Sequence, residues 1–377
     1  MLKKLIKKLM QIVYKTFLPI RKIILFESVP DLSDNAKAVF DEIVARNLHK
    51  EYKLVWCVHK DIVTYDKVEG VEYLNLKNKK QSLKFFRYTT QAKVLISCNT
   101  FLCKCRKGQL AIYLAHGVPI KSTKAYYRVP KSIDYCLTTS EAMIDSVETE
   151  YCVERAKILP LGYPRNDIFS KPPIDLKKLL GLDCKKIVVW YPTFRQHKCG
   201  LKQTKKAIPL IENEDIAIKL NDYLKENEIV IYLKPHFAQD ISYVKSLDLS
   251  NIIFIDDGFF EKHNITSYEF VGGCDALISD YSSIYYDFSL CDKQIAVVWE
   301  DIEEYKVNPG LVPNYEFLLK GAEKVYNLED LVRFLEHVIL DNDVLKVERN
   351  EIKNLVNVST DGKNSARVVD FILSKIK

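Results

Sequence analysis

Two histidines stand where short apolar runs give out. His116 follows Leu110–Ala115 and leads into Gly117-Val118-Pro119-Ile120-Lys121, and His236 closes Ile229–Leu233 together with Lys234 and Pro235. Histidine changes charge near neutral pH, so each can exchange a proton with a substrate. Gly117 lets backbone approach a ligand closely. Lys234 beside His236 places two potentially cationic groups together, which suits an anion. Tyr191-Pro192-Thr193-Phe194-Arg195 follows another apolar run, and the arginine fork matches a pair of phosphate oxygens. In Ser279-Asp280-Tyr281-Ser282-Ser283 a strand pattern ends and a helical one begins. Ser282 or Ser283 is the expected N-cap, with the free N–H groups of the first turn available to a phosphate. Tyr163-Pro164-Arg165-Asn166-Asp167 adds an arginine able to reach the ligand, with Asn166 and Asp167 fixing the turn. Singly, each feature has an ordinary reading as a satisfied strand-end histidine, an exposed basic turn, a surface arginine or a plain cap. Together they describe a site for a phosphate-bearing substrate.

Those residues need strands that end beside them. Short β-rich runs alternate with helical patterns through the chain, which predicts α/β architecture with largely parallel sheets. The first series is 22–26, 53–58, 71–76, 93–98, 110–116 and 134–139, with helical patterns at 34–48 and 79–91. The second series is 185–194, 229–236, 252–256, 275–280 and 294–299, and the last fifty residues read as helices. Two open parallel sheets in tandem bind ligands outside the carboxyl ends of their strands, where the residues above fall. The expected organisation is an amphipathic segment over 1–20, a first Rossmann-like domain over 21–170, a linker over 171–184 and a second Rossmann-like domain over 185–377.

The composition narrows the function classes. A net charge of +6 permits a phosphate-bearing or membrane partner, and no nucleic-acid partner is expected. Ten cysteines are scattered without CxxC spacing, as buried thiols of a reducing compartment would be. No GxGxxG, Walker A loop or HExxH occurs, and the carboxylates form no DxD cluster of the sort that would hold a metal on a nucleotide-sugar, so neither a metal nor another cofactor is expected. Seven basic residues and no acid fall within the first twenty-two positions. At 100° per residue, Leu2, Leu5, Ile6, Leu9, Met10, Ile12, Val13 and Phe17 form one arc and the lysines the opposite one. Such a helix suits the surface of an anionic leaflet. Lysines interrupt any signal-peptide core, and no apolar run is long enough to span a bilayer.

In order and spacing, these segments resemble the CDP-glycerol glycerophosphotransferase family, the primases and polymerases of wall teichoic acid and related capsular polymers. The resemblance begins at Phe26-Glu27-Ser28 with Ser33-Asp34-Asn35. It runs through HGVPIK, GYPRND, PTFR, KPH and SDYSS, and ends at Asp361-Gly362-Lys363-Asn364-Ser365-Ala366-Arg367. It implies a GT-B fold with the active site in a cleft between two Rossmann-like halves. It also implies peripheral attachment to the cytoplasmic face of the membrane, and transfer of glycerol phosphate from CDP-glycerol to a hydroxyl of a lipid-linked saccharide or polymer acceptor, releasing CMP.

By position, His116 and His236 match the family's essential histidines, with His116 the expected base. Ser282 and Ser283 match the donor phosphate-binding pair, and Thr193 and Arg195 the donor-binding turn. Gly117, Pro119, Arg165, Lys234 and Asp280 complete the expected donor- and phosphate-binding set. Where many relatives carry an Arg-Gly loop, this chain has Lys306-Val307-Asn308-Pro309-Gly310, which leaves the polyol open between glycerol, ribitol and another polyol. A nucleotide-sugar glycosyltransferase of the same architecture is the rival enzyme reading, but it would need a sugar-directed acidic residue in the second half, and none is obvious in the SDYSS region. A non-catalytic scaffold is disfavoured by the intact histidine and serine set.

Overall fold

The structure is a computed structural model that describes residues 13–60, 68–122, 124, 127–193, 208–235, 241, 244 and 246–376. It divides into two compact units. Unit 1 comprises Met1–Val118, Tyr126–Asp167 and Val358–Lys377; unit 2 comprises Pro119–Ala125 and Ile168–Asn357.

Unit 1 is built on seven parallel strands: β1 (Arg21–Glu27), β2 (Lys53–Val58), β3 (Glu72–Asn75), β4 (Ala92–Ser97), β5 (Leu110–Tyr113), β6 (Tyr135–Thr138) and β7 (Ile158–Pro160). Their spatial order is β3-β2-β1-β4-β5-β6-β7. β1 and β2 are buried for five consecutive residues each, as expected of strands covered on both faces. Helix α1 (Asp34–Ala45) covers one face through Val39, Phe40 and Ile43. Phe40 meets Phe26 and Trp56 edge-on, and those two rings stack at 5.1 Å between centroids. Helices α2 (Ser82–Gln91) and α3 (Ile144–Tyr151) follow β3 and β6.

Unit 2 repeats the plan with β8 (Lys186–Trp190), β9 (Ile229–Leu233), β10 (Ile252–Phe254), β11 (Ala276–Ser279), β12 (Gln294–Val298) and β13 (Glu323–Val325), ordered β10-β9-β8-β11-β12-β13. Its core gathers Val188, Trp190, Ile231, Leu233, Ile278 and Val298. Helix α4 (Glu214–Glu226) follows β8, and α5 (Ile284–Phe288) follows β11. Helices α6 (Leu328–Ile339), α7 (Lys346–Val356) and α8 (Asn364–Ile376) close the chain. In both sheets the order reverses between the first and fourth strands, which is where doubly wound sheets hold ligands.

The expected strands form, most a residue or more shorter at their carboxyl ends. Two edge strands had no sequence signal. β7 ends in Pro160 and β13 is Glu-Lys-Val, and both compositions are tolerated only at an edge. The expected domain boundaries need two changes. Val358–Lys377 packs into unit 1 rather than the second domain, and Pro119–Ala125 packs into unit 2 rather than the first. Hydrogen bonds made by particular side chains and loops cause both changes, and hydropathy does not register them. Of the amphipathic segment, Val13–Phe17 is helical and residues 1–12 lie outside the described residues. No described helix is long and apolar enough to cross a membrane.

Candidate active site

In unit 1 the site is assembled where β1, β5 and β7 end. After β1 the chain turns through a serine lattice: Ser28 Oγ donates to Pro30 O at 2.9 Å, and Ser33 Oγ donates to the same carbonyl at 2.6 Å. Asp34 then opens α1 with φ +61°, a left-handed conformation that aspartate tolerates better than most residues. Beside it, Asn35 is fully buried. Its Nδ2 donates to Leu114 O and Ala115 O at 3.2 Å each, and its Oδ1 accepts from Arg165 N–H at 3.1 Å. One carboxamide thus ties the turn after β5 to the turn after β7. Ala115 is held at φ +59°, a strained conformation for a residue with a Cβ, immediately before His116.

His116 emerges from that turn with its side chain 64% exposed, and its Nδ1 lies 2.7 Å from Asp34 Oδ2. The carboxylate can only accept, so Nδ1 donates to it, and in the neutral imidazole the lone pair is then on Nε2. Behind them, Arg165 Nη1 donates to Asp34 Oδ1 at 2.6 Å and to the His116 carbonyl at 2.7 Å. Asp34 and Arg165 are almost fully enclosed, at 6% and 5% side-chain exposure. Burial alone would raise the Asp34 carboxyl. Arg165 and His116 outweigh it and hold the group well below the usual carboxylate range. The result is an ionised carboxylate that orients an exposed imidazole, the arrangement of a supported general base. Tyr151 of α3 donates its hydroxyl to Gly117 O, fixing the other side of the loop.

The remaining GYPRND residues form a buckle. Asp167 accepts the Asn364 and Ser365 N–H groups at 2.8 Å each, capping α8 from a distant part of the chain. Asn364 Nδ2 donates to Tyr163 O at 3.2 Å. Gly162, at φ +84°, leaves room for Asn364: a Cβ there would stand 2.3 Å from Asn364 Oδ1.

Both units place an acid at the sheet's switch point. In unit 1 Glu27 accepts N–H groups from Cys98, Asn99 and Thr100 at 3.0 to 3.3 Å. In unit 2 Asp280, just after β11, accepts from Thr193 N–H at 2.8 Å and from Tyr281 N–H at 2.6 Å. Asp280 therefore holds the turn that carries Thr193. Ser283 is the residue before α5 but makes no side-chain cap bond, and Ser282 Oγ accepts from Ile284 N–H at 3.4 Å. Both serines are half-buried, so the loop rather than a hydroxyl cap sets their position. Lys234 lies just past β9, with Nζ 3.1 Å from the exposed Asp257. Pro119 begins a strap in which Ile120 O accepts from Val312 N–H at 2.9 Å, and Ser122 N–H donates to Gly310 O at 2.8 Å.

The expected residues therefore fall at strand ends, His116, Gly117 and Arg165 in unit 1 and Thr193, Lys234, Asp280, Ser282 and Ser283 in unit 2. His236 and Arg195 lie outside the described residues. Arg165 differs from expectation, because its Nη1 is bonded to Asp34 and the His116 carbonyl within the protein. Asp34 had no chemical role in the sequence reading. The available signal was its place in Ser33-Asp34-Asn35 at the start of a helix, immediately after a strand.

The profile of the CDP-glycerol:poly(glycerophosphate) glycerophosphotransferases matches residues 10–374. The chain belongs to this family. It is 25% identical over 338 residues to the teichoic acid poly(glycerol phosphate) polymerase of Bacillus spizizenii, covering 81% of this chain and 82% of that one. It is 26% identical over 344 residues to the teichoic acid glycerol-phosphate transferase of Staphylococcus aureus, with the same coverage. Against the teichoic acid glycerol-phosphate primase of Bacillus subtilis it is 27% identical, but spans only 60% of that protein's length. Among solved structures it superposes on the wall teichoic acid polymerase TagF with a TM-score of 0.73 at 21% identity, over 98% of this chain and 94% of that one. A Listeria monocytogenes protein described as a UDP-N-acetylglucosamine 2-epimerase shares the fold at a TM-score of 0.56 and 12% identity. The two tandem doubly wound sheets are thus of GT-B type, as expected.

Proposed function

We propose that this chain transfers glycerol phosphate, or a closely related polyol phosphate, from a CDP-activated donor to a hydroxyl of a membrane-associated saccharide or polymer acceptor, releasing CMP. The product would be a teichoic acid or similar cell-surface polymer, made at the cytoplasmic face of the membrane. Family membership supports the reaction class. The observation that carries the chemistry is His116, exposed and backed by ionised Asp34. In the proposed step the acceptor oxygen attacks the β-phosphorus while its proton passes to His116 Nε2. The bond from that phosphorus to the oxygen bridging to the α-phosphate breaks, and CMP leaves with the electron pair. Asp34 stabilises the imidazolium that forms. Thr193, Lys234, Ser282 and Ser283, with His236 and Arg195, are proposed to hold the donor phosphates. Charge neutralisation by these groups is proposed to make a divalent metal unnecessary.

His116→Ala should lower the single-turnover rate of CMP release by roughly 10²–10⁴ and leave CDP-glycerol binding within a few-fold. Lost donor binding with a preserved single-turnover rate would refute the base assignment. Supplying CDP-glycerol, CDP-ribitol and a UDP-sugar separately, with EDTA present, tests donor class and metal independence in one assay. A ribitol-phosphate primase of Bacillus spizizenii, 25% identical over 255 residues, makes the CDP-ribitol arm necessary.

A further inference from the structure

The transfer chemistry falls at the carboxyl ends of the strands. A second polar depression lies at the opposite edge of the unit 1 sheet, where β1 and β2 begin. It has a volume of about 440 Å³ and is lined by Arg21, Lys22, Lys53, Arg87, Glu51 and Gln91, among others. Four cations thus face a single lining carboxylate. Outside the lining, Glu72 is shared between Lys53 at 2.7 Å and a fifth cation, Lys84, at 3.0 Å. The Lys22–Glu51 pair, at 2.5 Å, has both side chains at least half exposed, and such pairs give way readily to a stronger anion.

Leu18 and Pro19 are tied to this part of unit 1, Pro19 by Gln91 of the lining and Leu18 by Arg106 outside it. Gln91 Nε2 reaches Pro19 O at 3.5 Å, and Arg106 Nη1 donates to Leu18 O at 2.5 Å. Just before these anchored residues, Val13 and Phe17 stand one helical turn apart, 48% and 76% exposed. An apolar stripe is thereby followed within four residues by a basic seat. Apolar residues entering an interface beside cations at phosphate depth are the two elements of anionic-lipid recognition.

We propose that the depression formed by Arg21, Lys22, Lys53 and Arg87 is a phosphate-binding seat, separate from the transfer site, that takes the headgroup of an anionic lipid while Val13 and Phe17 enter the apolar layer. The inference rests on the membrane-surface reading above and is independent of donor and acceptor identity.

Sedimentation of the full chain with vesicles tests it, comparing pure phosphatidylcholine with phosphatidylcholine containing phosphatidylglycerol. Each basic residue near the surface is worth roughly five-fold in partitioning, so Arg21→Gln/Arg87→Gln should weaken binding to the anionic vesicles by at least roughly ten-fold. Lys262→Gln/Lys346→Gln removes the same charge from exposed positions in unit 2 and should change it less than two-fold. Equal losses in the two double variants would overturn the seat in favour of diffuse attraction. A parent that stays off every vesicle would overturn the membrane reading itself. Undiminished anionic binding by Arg21→Gln/Arg87→Gln would overturn only the headgroup seat. Inorganic phosphate supplies the soluble arm. If it saturates the site in a thermal-shift titration of the parent and the double variant loses that response while keeping its vesicle binding, the ligand is a free phosphate and the lipid assignment falls.

Discussion

At the scale of single residues, Asp34 decides how His116 can act. It fixes the proton on Nδ1, leaves Nε2 available, and stays ionised because Arg165 is buried against its other oxygen. Asp34→Asn removes that charge and allows the opposite ring orientation. We expect kcat to fall by roughly 10²-fold or more with little change in donor KM, and the pH–rate profile to shift, measured on protein verified as folded by its melting curve. The same carboxylate sets a pH limit on stability. Its folded pKa lies below its unfolded value near about 4, so its contribution is complete above that value and is lost as pH falls. Urea titrations at pH 7 and pH 3 should show the gap between the parent and Asp34→Asn narrowing in acid. An unchanged gap would mean that Asp34 is not ionised in the native protein.

At the scale of elements, two features recur: an acid that clips a switch point, and a buckle that closes a turn. Glu27 and Asp280 each bind backbone N–H groups from the far side of the point where the strand order reverses. The buckle depends on Gly162. In Gly162→Ala the new methyl meets Asn364 and the backbone must keep φ +84°, so we expect a loss of roughly 2–4 kcal/mol by denaturant titration. Adding Asn364→Ala should recover the steric part of that loss and leave the backbone part. Much at this scale was legible in the sequence. Near-continuous apolar runs such as Ile229–Leu233 and Gln294–Val298 announce buried parallel strands, and the strand-end motifs fall at the carboxyl edges of the sheets. What could not be read depends on distance along the chain. Asp34 and His116 are 82 positions apart, and Asp167 and Asn364 are 197 apart. Neither pairing leaves a local pattern. Edge strands β7 and β13 were silent because proline and charge are acceptable there.

At the scale of the whole molecule, the chain passes between its two compact units four times, after Val118, Ala125, Asp167 and Asn357. The first two passages enclose a short strap that starts three residues after His116 and pairs, within unit 2, with the segment around Gly310 and Val312. This governs how such chains can be recombined. A chimera that takes Ile168–Asn357 from a relative imports most of unit 2 but leaves its strap behind, so that Ile120 and Ser122 of one parent must fit the Gly310 turn of another. Chimeras that also exchange Pro119–Ala125 should melt several degrees higher than those that exchange the long segment alone. In this chain the natural exchangeable part is a discontinuous pair of segments, and a crossover placed at the apparent linker would divide it.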